Sequence, residues 1–262
     1  MTFKFIDFRT DSFNLPLREL PVLKKQRRKN SAKSSLTHVK MCGADTETVR
    51  GKVWLFSSEF GVWEIDSMKD LIEVLWNKDH ASIWKQGRGK KQKTSRGLST
   101  KEFFFWNLKF DAQAILKLCS DEEILSILEG DDTEVKCGDG IVKIKYLEGK
   151  YMSFSPVNMY QGQYKLGKCV WWDISQFYGK MRLQTASEQF LNSSKIEVCF
   201  DGSTLDVTRL DEPDYRDFYR EDIEKYAVQD AILAGELARL KRDEFVEYGV
   251  RFIQPYSVAN VA

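Results

Sequence analysis

The chain lacks any cysteine pair at a useful spacing. Its five cysteines, at 42, 119, 137, 169 and 199, form no C-x-x-C motif. Neither a zinc ribbon nor a thioredoxin-type redox motif is suggested, and the odd total reads as reduced core thiols of a cytosolic protein. Met1 is not followed by an apolar run, so no signal peptide is expected, and no stretch is long enough to span a bilayer. The expected location is therefore cytoplasmic, with no membrane partner. Internal repeats are absent as well. Net charge is only +1, so the overall balance does not announce a nucleic-acid partner.

What is present is enough for a sizeable core. Hydrophobic residues make up 42% of the 262 residues and aromatics 13%, which suits one large domain or two small ones. Basic residues are unevenly placed. Residues 1–40 hold ten Lys/Arg against Asp7, Asp11 and Glu19, and Lys85–Lys101 holds seven with no acid. Both runs read either as mobile segments that grip phosphates or as solvated loops or a localisation tag. The expected organisation is a flexible basic arm over 1–35, a domain over 36–250 with a basic loop at 85–101, and a tail or linker over 251–262.

Hydrophobic periodicity gives the elements. Alternation over 36–45 predicts a half-buried strand, and Lys52–Phe60 with Gly61–Ile65 a hairpin. Ser67 with Asp70, and Ser120 with Glu123, are capping boxes for helices over 68–77 and 121–128. Phe103–Trp106 is a short, bounded apolar run that predicts a central strand. Helices are also predicted over 111–118, 176–191 and 222–248, and strands over 133–155 and 168–173. The class is α/β, with a mixed central sheet flanked by helices.

Four carboxylates stand out against this frame. Asp45 and Glu47 form a D-x-E, and side chains two apart on a strand point the same way. D-x-E alone says little, since it occurs four times, starting at Asp45, Asp121, Asp132 and Asp222. Only the first follows an alternating strand pattern. Asp111 ends the single N-x-x-F-D and follows the predicted central strand. Tyr226 and Asp230 lie four apart on the strongest predicted helix and share one face. Asp230 falls on the apolar stripe, where a lone charge is costly; it is either a metal ligand or a carboxylate paired with Lys225 or Arg239. Several carboxylates in one place suit hard cations such as Mg²⁺. Two such ions activate a water and stabilise a leaving oxygen in phosphodiester hydrolysis.

In order and context, D-x-E, N-x-x-F-D and Y-x-x-x-D resemble the three exonuclease motifs of the DEDD superfamily of 3′–5′ exonucleases. Both histidines, His38 and His80, precede Asp111, so the resemblance is to the tyrosine subclass rather than the histidine one. N-L-K-F-D-A-Q-A-I-L at 107–116 is most similar to the proofreading domain of B-family DNA polymerases, above all the protein-primed branch. The likeness spans about residues 36–245. It implies a ribonuclease-H-like fold and a metal-dependent exonuclease acting on single-stranded DNA 3′ ends. Asp45, Glu47, Asp111 and Asp230 would bind two Mg²⁺ or Mn²⁺, and Tyr226 would position the water. It also implies that Thr48, Asn107 and Phe110 hold the 3′ end. Lys195, in K-I-E-V, either neutralises charge on the scissile phosphate or is a surface lysine starting a strand. The family's Ser/Thr-Leu motif is not evident, and no polymerase motif follows, so a free-standing exonuclease and the front part of a polymerase are both open. A polymerase domain or replication protein is a candidate partner. The competing readings are an RNA exonuclease of the same superfamily and a non-catalytic module that binds nucleic acid or a priming protein.

Overall fold

The computed structural model describes residues 41–86, 95–196, 198–249 and 252. The expected arm over 1–35, the middle of the 85–101 run, and all of the 251–262 tail except Phe252 lie outside the described residues.

Three consecutive phenylalanines mark the centre of the fold. Phe103, Phe104 and Phe105 are fully buried in a short strand, Glu102–Phe105. Because side chains alternate along a strand, Phe103 and Phe105 enter one core, with Phe56 and Trp171, while Phe104 enters a second, with Trp172, Leu233 and Leu237. A strand apolar on both faces requires cover on both faces, and helices supply it.

In chain order the sheet begins with β1 (Met41–Val49), β2 (Lys52–Ser58) and β3 (Gly61–Glu64), an antiparallel meander. The β1–β2 turn is Arg50-Gly51, both at positive φ (50° and 71°), a conformation suited to a two-residue hairpin. Helix α1 (Met68–Leu75) follows, with the expected Ser67–Asp70 capping box. Next come β4 (Ala81–Gln86), β5 (Ser95–Thr100), the central strand β6 (Glu102–Phe105), α2 (Leu108–Leu116) and α3 (Asp121–Leu128), the last with the Ser120–Glu123 box. Strands β7 (Thr133–Cys137), β8 (Gly140–Leu147) and β9 (Tyr151–Val157) form a second meander. Short β10 (Tyr160–Gln161) and β11 (Tyr164–Leu166) lead into β12 (Cys169–Asp173). Helices α4 (Leu183–Leu191), α5 (Pro213–Phe218) and the 28-residue α6 (Arg220–Glu247) complete the described chain.

Eight strands form one mixed sheet in the order β3-β2-β1-β6-β12-β9-β8-β7. β6 runs parallel to β1 and to β12, and the other neighbours are antiparallel. A four-stranded sheet, β10-β11-β5-β4, stands beside it. The expected α/β class with a mixed sheet flanked by helices is therefore observed. Among the described residues no helix is long and apolar enough to cross a membrane.

Three expectations are corrected. The ends of the 85–101 basic run are strands: Lys85 and Arg96 are register partners in the β4–β5 hairpin. β4 lies at a sheet edge, where charged residues discourage pairing with another chain. The helix expected over 176–191 is split. Ser175–Tyr178 forms a 3-10 turn, Gly179 and Lys180 take positive φ (67° and 58°), and α4 starts only at Leu183. The helix expected from Asp111 starts at Leu108, which places Asp111 in its first turn.

Candidate functional site

Helix α6 presents small residues to the sheet. Ala227, Ala231, Ala234, Gly235 and Ala238 are all buried along it. Opposite lies Gly43 of β1, so close that an added Cβ would sit 1.8 Å from Ala231 O and 2.4 Å from Gly235 N. Only glycine permits this approach of two backbones. Glu59, in the β2–β3 turn, ties the elements together: its Oε1 accepts from Gly43 N and from Arg239 Nη1, each at 2.7 Å. Ser57 Oγ donates to Ala227 O at 2.9 Å. Gly43, Asp45 and Glu47 lie on one face of β1, so the contact that seats Gly43 against α6 also turns both carboxylates towards Tyr226 and Asp230.

Asp111 arrives from the other direction. β6 neighbours β1 in parallel, and the chain leaving β6 turns at Asn107 (φ 66°) into α2. Asp111 Oδ1 accepts from Thr46 N at 3.0 Å and from Thr46 Oγ1 at 2.8 Å, which locks the first turn of α2 onto β1.

Burial and mutual repulsion act on these carboxylates together. Asp45 is pushed well above the usual carboxylate range, first by burial, then by Asp111, Glu47 and Asp230. Glu47 is pushed up to about 8 by burial and Asp230, against the pull of Lys195. Asp111 is pushed up to about 7 by burial, offset in part by the Thr46 hydroxyl. Such like-charge crowding in a low-dielectric setting is unfavourable for the protein by itself and is characteristic of functional sites.

Lys195 answers it. Lys195 Nζ lies 2.5 Å from Asp230 Oδ2, donates to the Tyr226 hydroxyl at 2.7 Å and stands 4.5 Å from the centre of the Tyr226 ring. Burial pulls the Lys195 ammonium down, but Asp230 outweighs it and the net shift is upward. Tyr226 is raised by burial first and by Asp230 second, so it stays a neutral phenol. Its oxygen accepts from Lys195, which leaves its own hydrogen to donate elsewhere. The alternatives of a surface lysine and of Asp230 paired with Lys225 or Arg239 are corrected. Lys195 is largely buried, Lys225 faces Glu221 and Asp222, and Arg239 faces Glu59.

Thr48, Asn107 and Phe110 are at the rim, in two different recesses. Thr48 and Phe110 line one of about 440 Å³ together with Gln113, Lys117 and Leu128. Phe110 is 68% exposed. Asn107 lines another, of about 470 Å³, together with Trp106, Asp173, Lys180, Arg182 and Lys195. Asp173 was not anticipated. It ends β12, is buried, and its Oδ1 accepts from Ser175 Oγ (2.6 Å), Ser175 N (2.9 Å) and Asn107 N (3.3 Å). A carboxylate closing an apolar strand was the available signal.

As to a metal, the donor chemistry fits. Four carboxylates form an all-oxygen set of the kind hard divalent ions take, and their mutual repulsion is relieved by added positive charge. Among the described residues, however, no group of three or more His, Cys, Asp or Glu stands as a ready metal-binding cluster. Thr46 holds Asp111, and Lys195 holds Asp230.

Comparison with known proteins gives no match, whether against family models, curated proteins or solved structures.

Proposed function

We propose that the protein is a metal-dependent 3′–5′ exonuclease of the tyrosine-containing DEDD type, with a ribonuclease-H-like fold, that shortens single-stranded DNA from the 3′ end. The observation that carries this reading is that the buried carboxylates of Asp45 and Glu47 from β1, Asp111 from α2 and Asp230 from α6 act on one another electrostatically, with Lys195 bridging Asp230 and Tyr226. Asp45, Glu47, Asp111 and Asp230 would hold two Mg²⁺ or Mn²⁺. When bound, these ions supply an activated water and stabilise the leaving oxygen.

The remaining roles belong to the chain. Tyr226, neutral and with its hydrogen available, orients the attacking water. Lys195, beside Asp230 and Tyr226, would offset charge building on the phosphate. Phe110 offers an exposed ring for the terminal base or sugar, with Thr48 beside it, and Asn107 supplies a polar contact. The polymerase-like resemblance makes proofreading within a replication assembly the biological setting we favour.

A second reading, a non-catalytic nucleic-acid-binding module, is favoured by two observations: Lys195 already occupies Asp230, and among the described residues no ready metal cluster is present. Isothermal titration with Mn²⁺ separates the two. Binding that is abolished by Asp230→Asn supports the exonuclease, and no binding supports the module. Matched DNA and RNA oligonucleotides then decide the sugar.

A further inference from the structure

The 470 Å³ cleft beside the carboxylates is lined by four basic side chains, Lys109, Lys180, Arg182 and Lys195. Two of them are already engaged: Lys109 pairs with Glu148 and Lys195 with Asp230. Lys180 and Arg182 are exposed and make no ion pair among the described residues.

Their backbone is unusual. Gly179 and Lys180 are consecutive residues in the left-handed region, at φ 67° and 58°. Glycine adopts this freely, whereas lysine does so against steric resistance, and such positions gather at functional sites. The turn is also braced. Lys180 N donates to Ser175 O at 3.1 Å, Ser175 is held by Asp173, and Trp106 Nε1 donates to Met181 O at 3.0 Å. A strained turn, braced just past the ends of β6 and β12, presents Arg182 and Lys180 to a cleft whose one carboxylate, Asp173, is shared with Ser175 and Asn107 and feels the Lys180 charge; with Lys109 and Lys195 also in the lining, the cleft is suited to anions.

We propose that this cleft receives the DNA strand on the 5′ side of the cleaved bond, with Lys180 and Arg182 each contacting a backbone phosphate. The direction follows from Lys195, which lines the cleft and also touches Asp230, and so links the cleft to the carboxylates. Thr48 and Phe110 occupy the other recess, which leaves that one for the departing nucleotide. The identity of the ligand rests on the exonuclease reading. The anion-binding character of the turn does not.

The test is fluorescence anisotropy with a 5′-labelled twelve-nucleotide oligo-dT and the full chain, in EDTA, over a range of salt. Each phosphate contact to a single strand contributes about 0.7 to the slope of log K against log salt. The double variant Lys180→Ala/Arg182→Ala is expected to weaken binding at least tenfold and to lower the slope by about 1.4. Lys180→Gly, which removes the charge while suiting the backbone, is expected to take about half of that slope without lowering the melting temperature. A control, Lys136→Ala/Lys165→Ala, removes two exposed lysines that do not line the cleft and is expected to bind like the wild type. Unchanged affinity and slope in both cleft variants would overturn the proposal. If the wild type binds and the cleft variants lose binding, but no nucleotide is released with Mg²⁺ or Mn²⁺, the cleft stands and the exonuclease reading fails. If the wild type shortens DNA and the cleft variants bind and shorten it equally well, the reverse holds.

Discussion

Replacing Gly43 by alanine tests whether the β1–α6 contact builds the site. The new Cβ would lie 1.8 Å from Ala231 O, 2.4 Å from Gly235 N and 2.8 Å from Gly235 Cα. All three are backbone atoms, so no side chain can rotate away. Restoring ordinary contact at about 3.4 Å requires α6 to withdraw by roughly 1.6 Å near Ala231. Overpacking of this kind costs about 1–3 kcal/mol, and a rigid backbone obstacle puts this case at the upper end. Weakening the Gly43 N to Glu59 Oε1 bond adds about 1 kcal/mol. The expected loss is thus about 3–4 kcal/mol in urea unfolding. Asp230 precedes Ala231 and moves with it, and a misplacement of about 1 Å can cost on the order of 100-fold in rate. Activity is therefore expected to fall by at least that factor at a temperature where the variant remains folded. Gly235→Ala is the internal comparison. Its Cβ meets mainly the movable Glu59 carboxylate (2.0 Å) besides Gly43 N (2.8 Å), so the loss should be smaller, about 1–2 kcal/mol. A Gly43→Ala protein within 0.5 kcal/mol of wild type, with unchanged activity, would refute the argument.

Asp45→Asn removes one of four crowded carboxylates, so in EDTA it should stabilise the protein by about 1–2 kcal/mol while abolishing hydrolysis, read by urea unfolding and by oligonucleotide shortening. Lys195→Met leaves Asp230 beside Glu47 without its ammonium and should cost about 3 kcal/mol in EDTA; a loss no larger than that of a surface lysine would remove Lys195 from the site. His80 is buried, its Nδ1 donating to Val74 O and its Nε2 accepting from the Ser58 hydroxyl, both at 2.8 Å. Burial holds its pKa below 6.5, so its contribution is present above pH 6.5 and is lost as pH falls towards the folded-state pKa. The stability difference between wild type and His80→Gln should accordingly shrink on acidification from pH 7.5 to 5; a constant difference contradicts it.

Much of the architecture was legible because it follows from local chemistry. The run of buried phenylalanines at 103–105, the stripe on α6 and the two capping boxes each declare their element without reference to the rest of the chain. The strands β4 and β5 were hidden because the polar and basic sequence around them leaves no hydrophobic period to read. The interruption at Gly179-Lys180 was hidden because a lysine gives no sign of positive φ. In the candidate site, Asp45, Glu47, Asp111 and Asp230 carried a pattern, but what holds them together did not. The Gly43–Gly235 approach joins residues 192 positions apart, and the Lys195–Asp230 pair spans 35. Contacts of that kind belong to tertiary packing, which periodicity does not encode.

The most direct measurement is incubation of the purified protein with a 5′-labelled single-stranded DNA oligonucleotide in Mg²⁺, in Mn²⁺ and in EDTA, beside the Asp45→Ala and Asp230→Ala proteins. The account predicts a ladder shortening from the 3′ end with either metal, none in EDTA, and none from either variant although both remain folded. An intact oligonucleotide in all conditions, from protein that is folded and binds the DNA, would contradict it, as would wild-type shortening by either variant.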